Sequence, residues 1–445
     1  MQKLQSVRGT HDLLPEAEQQ HQRVITTARS LASTYGFAAM ATPLIEFRDV
    51  FSRAVGETSD IVSKEMFIVQ SPSTSGDDAA AMVLRPEGTA AVMRALINGN
   101  RLESLPQRVF YAGPMFRYER PQKGRLRQFH QIGVEAVGAV AGLADGEIIA
   151  LAARILNQLL PNRPIRLELN SLGDRESREQ WRQALVEYFT RYESDLSPVS
   201  RERLHKNPLR ILDSKEKSDL AIVADAPELT PYLTAESLRI FDQLQAQLQA
   251  MAIPYHLSKR LVRGLDYYCH TVFEFVTDEL GAQGTVLAGG RYDGLVAALG
   301  GAAVAGIGWA AGIERLVELM VGDSLPAVTP PAVMVVGIGA NQAPFAVANQ
   351  ALILANRLRA IGIATELDYS GNPKKALQRA NRIGSGFALM IGSTEVETST
   401  VQLKNLTNGE QITLPLERLL ATMAGLTKHL TATHSQPHNH ADCCG

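Results

Sequence analysis

Three prolines fall within the ten residues of SLPAVTPPAV, residues 324–333. Proline has no backbone N–H with which to continue a helix or a sheet ladder, so no regular element runs through this stretch. The chain must resolve into one piece that ends near residue 325 and another that begins near residue 331. At 445 residues it also exceeds what one hydrophobic core organises, and two or three domains are expected.

After the break, AVMVVGIG, ANQALILANRLRAIG, IATELDY, KKALQRANRIG and FALMIG alternate strand-like and helical periods within residues 331–430. That order predicts a small α/β domain with a largely parallel sheet. The GIGANQ turn lacks the third glycine of a dinucleotide fingerprint and reads as an ordinary strand-to-helix turn. Residues 431–445 hold His434, His438, His440, Cys443 and Cys444, all competent ligands, but their spacing matches no closed zinc motif. They read as a disordered tail.

Before the break, residues 1–170 mix helical segments with strand-like runs such as MFIVQ, RVFYAG and RLEL. Residues 171–255 turn to charged, helical sequence such as REQWRQALVEYFTRY and AESLRIFDQLQAQLQAM, which reads as an insertion. Strands return with VFEFV and GTVLAGG in residues 256–325, followed by the helical IERLVELM. SPSTSGDDAA, between MFIVQ and AMVL, reads as an enlarged hairpin loop.

The formal net charge is −2, so any RNA or phosphate must be held by local patches. The start, MQKLQSVRGTHDLLP, lacks the apolar run of a signal peptide, and no stretch has the apolar length that spans a bilayer. A cytoplasmic protein without membrane contact is expected. Cys269 is isolated and Cys443 and Cys444 are adjacent, so no disulfide is expected.

One local patch stands out. RYERPQKGRLRQFHQIGVEAVG, residues 117–138, crowds basic side chains ahead of an alternating run. If residues 116–119 form one strand and residues 125–137 its partner, the QKGR turn joins them as a hairpin. Alternation then puts Arg125, Arg127, Phe129, Gln131 and Glu135 on one face, with Gly133 leaving a gap among them. Ile132, Val134 and Ala136 take the other face and suit a core. Arg117 and Glu119 share a face of the first arm. A polar strand face can be merely solvated, but arginine forks suit phosphate oxygens and Phe129 offers a surface for a base. Gln131 and Glu135 could read a smaller polar molecule.

FRYERPQKGRLRQFHQ resembles motif 2 of class II aminoacyl-tRNA synthetases, and its ERPQKGRxRQFHQ form is similar to the histidyl-tRNA synthetase family. VRGTHDLLP at residues 7–15, LRPEGTA at 84–90, LVRGLDYY at 261–268, LAGGRYDGL at 287–295 and GIERL at 312–316 follow in that family's order. The resemblance covers all but the tail. It implies an α+β catalytic domain, an antiparallel sheet flanked by helices, in two parts, residues 1–170 and 256–325. It further implies a helical insertion, residues 171–255, and a C-terminal α/β anticodon-binding domain, residues 331–430. A homodimer built partly through ATPLIEF, with Pro43 as the motif 1 proline, is also implied. The implied reaction joins L-histidine to ATP as histidyl-adenylate and passes the histidyl group to the 3′ end of histidine tRNA.

The resemblance also distributes roles. Arg117, Arg263 and Arg315 become the catalytic arginines: Arg117 on the α-phosphate, Arg315 near the adenine and γ-phosphate, and Arg263 of RGLDYY where other class II enzymes use a metal ion. Glu119, Arg125 and Phe129 join them in ATP binding, with Phe129 stacked on the adenine. Glu135 and Tyr268 bond the imidazole of histidine, Tyr267 and Tyr292 line its pocket, and Glu87, Thr89 and Gln131 bind its amino group. Arg120 and Gln122 meet the tRNA acceptor end. Magnesium is expected with ATP, but no side chain is assigned to it.

Plainer readings remain for several of these residues. Glu87 could simply cap the helix that follows it. Cys269 and His270 are expected to pack rather than form a catalytic pair. Arg357, Arg359, Lys374, Lys375, Arg379 and Arg382 form a plausible phosphate-binding set on the C-terminal helices, although exposed helix charge is usually just solvated. The alternative function is a non-catalytic regulatory subunit of ATP phosphoribosyltransferase, a histidyl-synthetase-like chain. Such chains tend to lose the motif arginines and the C-terminal module, both of which are present here.

Overall fold

The alternating run after the arginines lies in the middle of an eight-stranded sheet, as seen in a computed structural model. The structure describes residues 3–56, 59–70, 81–121, 124–212, 214, 216–262, 267–320, 332–339 and 345–432. Six strands form the antiparallel centre, in the order Gln107–Phe116, Gln128–Val137, Gly306–Gly312, Thr285–Arg291, Cys269–Val276 and Arg166–Ser171. The short strands Ala38–Ala39 and His256–Leu257 add parallel edges.

The hairpin pairs Gln107–Phe116 with Gln128–Val137, so its first arm ends at Phe116, where the alternation predicts that it begins. The cause lies in competing partners. Beyond Phe116 the Tyr118 amide bonds Glu65 O at 2.6 Å, and the Arg127 amide bonds Gly9 O at 2.7 Å. Other segments thus take the ladder groups that a longer hairpin would have used.

The two faces of Gln128–Val137 are as the alternation predicts. Ile132, Val134 and Ala136 join a core with the helices Pro15–Thr34, Leu143–Leu159 and Ile313–Leu319. Phe129 and Val137 face a second core, shared with Tyr111, Tyr268 and Tyr292 and with the helix Thr89–Asn98. Between Ser171 and His256 the described residues form helices and no strand. Trp181, Leu185 and Phe189 of that stretch enter the second core, whereas Leu244 and Leu248 enter the first. The sheet and the helical stretch share apolar interior.

Arg291, in GGRYDG, is fully buried against Asp145 near the start of Leu143–Leu159. Its Nε lies 3.2 Å from Asp145 Oδ1, and Nη1 donates to Asp293 at 3.0 Å and Ala139 O at 2.9 Å. Asp145→Ala strands that guanidinium without its main counter-charge. The variant should lose about 3–5 kcal/mol of stability, read as a lower midpoint in chemical denaturation.

Contact within the chain separates two compact units, Met1–Gly322 and Asp323–Gly445. The second unit has the strand order Thr365–Leu367, Val333–Gly337, Phe387–Ile391, Thr400–Asn405, Gln411–Pro415. The first three strands are parallel and the last two antiparallel. The sheet is therefore mixed, not largely parallel. TVQLKNLTNGEQITLP folds back through Asn408 and Gly409, whose φ of 79° suits glycine, and this Asn-Gly turn is the sequence signal for the antiparallel pair. Helices Ala346–Ala360 and Leu416–Ala432 cover one face and Pro373–Ile383 the other. Arg357, Arg359, Lys374, Lys375, Arg379 and Arg382 are all exposed; Arg379 pairs with Glu366, and Arg359 bonds Thr365 O. The tail residues from His434 to Cys444 lie outside the described residues.

Candidate active site

A cleft of about 430 Å³ opens on the sheet face opposite the first core. Its walls include Glu87, Thr89, Arg117, Glu119, Arg125, Phe129, Gln131, Tyr267, Tyr268, Tyr292 and Arg315. Every one of these is a site residue expected from the sequence. Glu135 lies at the base, bonded to the wall residues Thr89 and Tyr292. Arg120 is exposed outside the cleft lining, and Arg263 and Gln122 lie outside the described residues.

Small residues form the floor. In Gly306–Gly312, Ile307, Trp309 and Ala311 turn into the first core, which leaves Gly308, Ala310 and Gly312 toward the cleft. A Cβ at Gly308 would stand 1.9 Å from Glu135 Oε2, so only glycine lets that carboxylate lie against the neighbouring strand. The gap expected at Gly133 is filled from the neighbouring strand: Tyr111 pairs directly with Gly133, and a Cβ there would stand 2.4 Å from the Tyr111 ring. Tyr111 is not among the residues the sequence singles out, because nothing in RVFYAG distinguishes a residue beside the site from ordinary core.

At one end the chemistry is that of a buried polar reader. Glu135 is fully buried, accepts the Thr89 hydroxyl at 2.7 Å and accepts the Tyr292 phenol. Burial pushes its pKa up to about 8, against the pull of these two donors. Glu87 accepts the backbone N–H groups of Thr89 and Ala90 at 2.7 and 2.8 Å. It therefore does cap the helix while also lining the cleft, and burial raises its pKa as well. Gln131 Oε1 is buried with no hydrogen-bond partner. An orphaned acceptor in a cleft wall suits a ligand donor such as an ammonium. The Tyr267 ring lies 4.6 Å from Tyr268 and 5.9 Å from Tyr292, centroid to centroid.

At the other end the charge is positive. The Arg117 guanidinium lies over the Phe129 ring, 5.2 Å from its centroid, and its Nε donates to Pro86 O at 2.9 Å. Arg125 pairs with Glu119 at 3.2 Å. Arg315 Nη1 bonds Thr285 O, and burial followed by the charge of Arg125 lowers its pKa. Arg127 instead lies over the Tyr118 ring at 4.1 Å and is not part of the lining. A row of fixed arginines beside an aromatic face can hold a nucleoside polyphosphate.

Cys269 is buried and His270 half-buried. Burial pushes the Cys269 thiol up to about 12, too high for a nucleophile at neutral pH, and burial lowers the His270 pKa.

Sequence comparison bears on the same residues. The family model described as histidyl-tRNA synthetase matches residues 9–316, which include every described cleft residue named above. The chain belongs to the histidyl-tRNA synthetase family. The anticodon-binding-domain model matches residues 332–426, the second unit of this synthetase family member. The histidine-tRNA ligase of Gluconacetobacter diazotrophicus is 52% identical over 427 residues, 96% of this chain and all of the relative. That of Rhodospirillum rubrum is 49% identical, over 94% of this chain and 97% of the relative. The apo histidyl-tRNA synthetase of S. aureus superposes with a TM-score of 0.76 at 32% identity, over 94% of this chain and 99% of that one. A Bacillus halodurans chain titled ATP phosphoribosyltransferase regulatory subunit/histidyl-tRNA synthetase reaches 0.61 at 21% identity, over 87% of this chain and 98% of that one. That likeness shows the fold alone. The regulatory alternative is not favoured beside near-full-length ligase relatives at about half identity. Family membership makes the chain an ATP-dependent aminoacyl-tRNA ligase.

Proposed function

We propose that this cleft carries out both steps of a histidine-tRNA ligase through the residues that line it. The observation that carries the reading is the pairing, in one cleft, of a fully buried carboxylate held by two hydroxyl donors with a row of arginines beside Phe129.

Histidine enters with its imidazole toward Glu135 and Tyr268 and its ammonium toward Glu87, Thr89 and Gln131. Tyr267 and Tyr292 close the sides. ATP lies with its adenine against Phe129 and its phosphates along Arg117, Arg125 and Arg315, next to Glu119. The histidine carboxylate attacks the α-phosphorus, the bond to the β-phosphate oxygen breaks, and pyrophosphate leaves. Arg117 and Arg263 stabilise the charge that develops on the α-phosphoryl oxygens. A ribose hydroxyl at the 3′ end of histidine tRNA then attacks the histidyl carbonyl carbon and releases AMP. No side-chain nucleophile is needed, because both transfers depend on positioning.

Magnesium fits the wall as a hard ion with oxygen ligands. Glu119 and Glu274 both offer carboxylates there, although Glu119 pairs with Arg125 and Glu274 accepts the Thr285 hydroxyl. Among the described residues no three carboxylates of the cleft converge on one point. Magnesium would then be held largely by the phosphates of ATP, neutralising their charge, with Glu119 or Glu274 as the protein's share. Arg120 and Gln122 face the acceptor end of the tRNA, and the second unit takes the anticodon. Among the described residues no helix is long and apolar enough to cross a membrane. The resemblance of ATPLIEF, with Pro43, to motif 1 supports a homodimer, and a cytoplasmic location is part of the same proposal. Sedimentation at the monomer mass would contradict the dimer.

The pH dependence follows from one shared proton. Glu135 holds its proton up to about 8, whereas a free imidazole is neutral above about 6.5. A complex with a single proton between them forms best between those values. The KM for histidine should be lowest there and rise on both sides. The sign for stability is the usual one for a raised carboxyl: this contribution is complete below 4.5 and is lost as the pH rises through about 8. A KM for histidine that stays flat from about pH 6 to 9 would count against Glu135 as the imidazole reader. Labelled histidine appearing in histidine tRNA, and in no other tRNA, tests the complete reaction.

A further inference from the structure

A second polar cluster lies on the helix-covered side of the hairpin, at His130. The helix Pro15–Thr34 presents His21, only 4% exposed, whose ring meets that of His130 edge-on with centroids 5.1 Å apart. His130 Nδ1 lies 2.8 Å from Glu314 Oε1, and the Glu314 carboxylate also accepts the His130 backbone N–H. One donor atom from each of the three residues lies within 4.8 Å of the other two. His21 Nδ1 is buried with no hydrogen-bond partner.

We propose that His21, His130 and Glu314 bind a divalent transition-metal ion, zinc above all, which ties the first helix and the hairpin to the helix that carries Arg315. Two imidazoles and one carboxylate form a donor set that suits zinc and leaves a fourth position for water. The nitrogen donors select against magnesium and calcium, so this site is chemically distinct from the metal that accompanies ATP. Ligand atoms around tetrahedral zinc stand about 3.3 Å apart, so closing from within 4.8 Å needs only small side-chain rotations. Burial lowers the pKa of His21, outweighing the opposite pull of Glu314, and keeps the imidazole in its ligating form. Glu18, one turn earlier on the helix and bonded by Gln22, adds negative charge nearby. An ion that takes His130 Nδ1 moves the ring proton to Nε2, so that the imidazole binds in its neutral form.

The test uses untagged, full-length protein stripped with a chelator and titrated with Co²⁺ as the probe. The wild-type chain is expected to bind one more equivalent than His21→Phe, with a ligand-field absorption that the variant lacks and that added Zn²⁺ removes. Both proteins carry the same His- and Cys-containing tail, so the difference isolates the cluster. His21 touches no reactant, so His21→Phe should retain histidine-dependent pyrophosphate exchange, which shows that it is folded. If it does not, His21→Gln takes its place. Equal uptake by the wild type and the folded variant, or no uptake by the wild type, overturns the proposal. Metal uptake is read independently of catalysis, so failure here leaves the adenylation reading intact, and the reverse also holds.

Discussion

Glu135→Gln should lower kcat/KM for histidine in pyrophosphate exchange by about 10³-fold, the penalty of a polar pocket whose buried groups no longer match the ligand. The amide keeps the shape of the carboxylate, but Thr89 and Tyr292 donate to different carboxylate oxygens, so only one of them keeps its acceptor and the other meets the amide NH2. The group that shares a proton with imidazole is lost too, so the upper limb of the pH profile should vanish as well. Tyr292→Phe removes one of the two donors and leaves the carboxylate in place, so the loss should be only about tenfold. A ratio near one between the two variants would mean that Glu135 merely supports the floor of the cleft.

Arg117→Ala should lower kcat for exchange by about 10³-fold while the KM for histidine changes little. Its guanidinium is fixed over Phe129 and anchored on Pro86 O, so it meets developing phosphoryl charge without reorganising. Arg117→Lys should rescue poorly, since a point charge reproduces neither the fork nor the stacking. If the loss fell mainly on the KM for ATP instead, Arg117 would be a ground-state anchor and the transition-state role would pass to Arg315 or Arg263.

The hairpin face is legible in the sequence because alternation is a period of two and glycine marks a missing side chain. Alternation alone therefore places Phe129, Gln131 and Glu135 together. The proline break is legible for a similarly local reason. The first arm of the hairpin is not, since Glu65 and Gly9, distant in sequence, take the backbone partners that decide where it ends. Tyr111 is hidden for the same reason: only the register between strands reveals that Gly133 clears space for it, as Gly308 does for Glu135. Glu87 needs both of its readings, as helix cap and as cleft wall.

The most direct measurement is exchange of labelled pyrophosphate into ATP by the purified protein without tRNA, with each amino acid supplied in turn. Exchange with histidine and with no other amino acid is the predicted result. Histidine binding without exchange would contradict the account and turn the arginine row into a remnant of a regulatory chain.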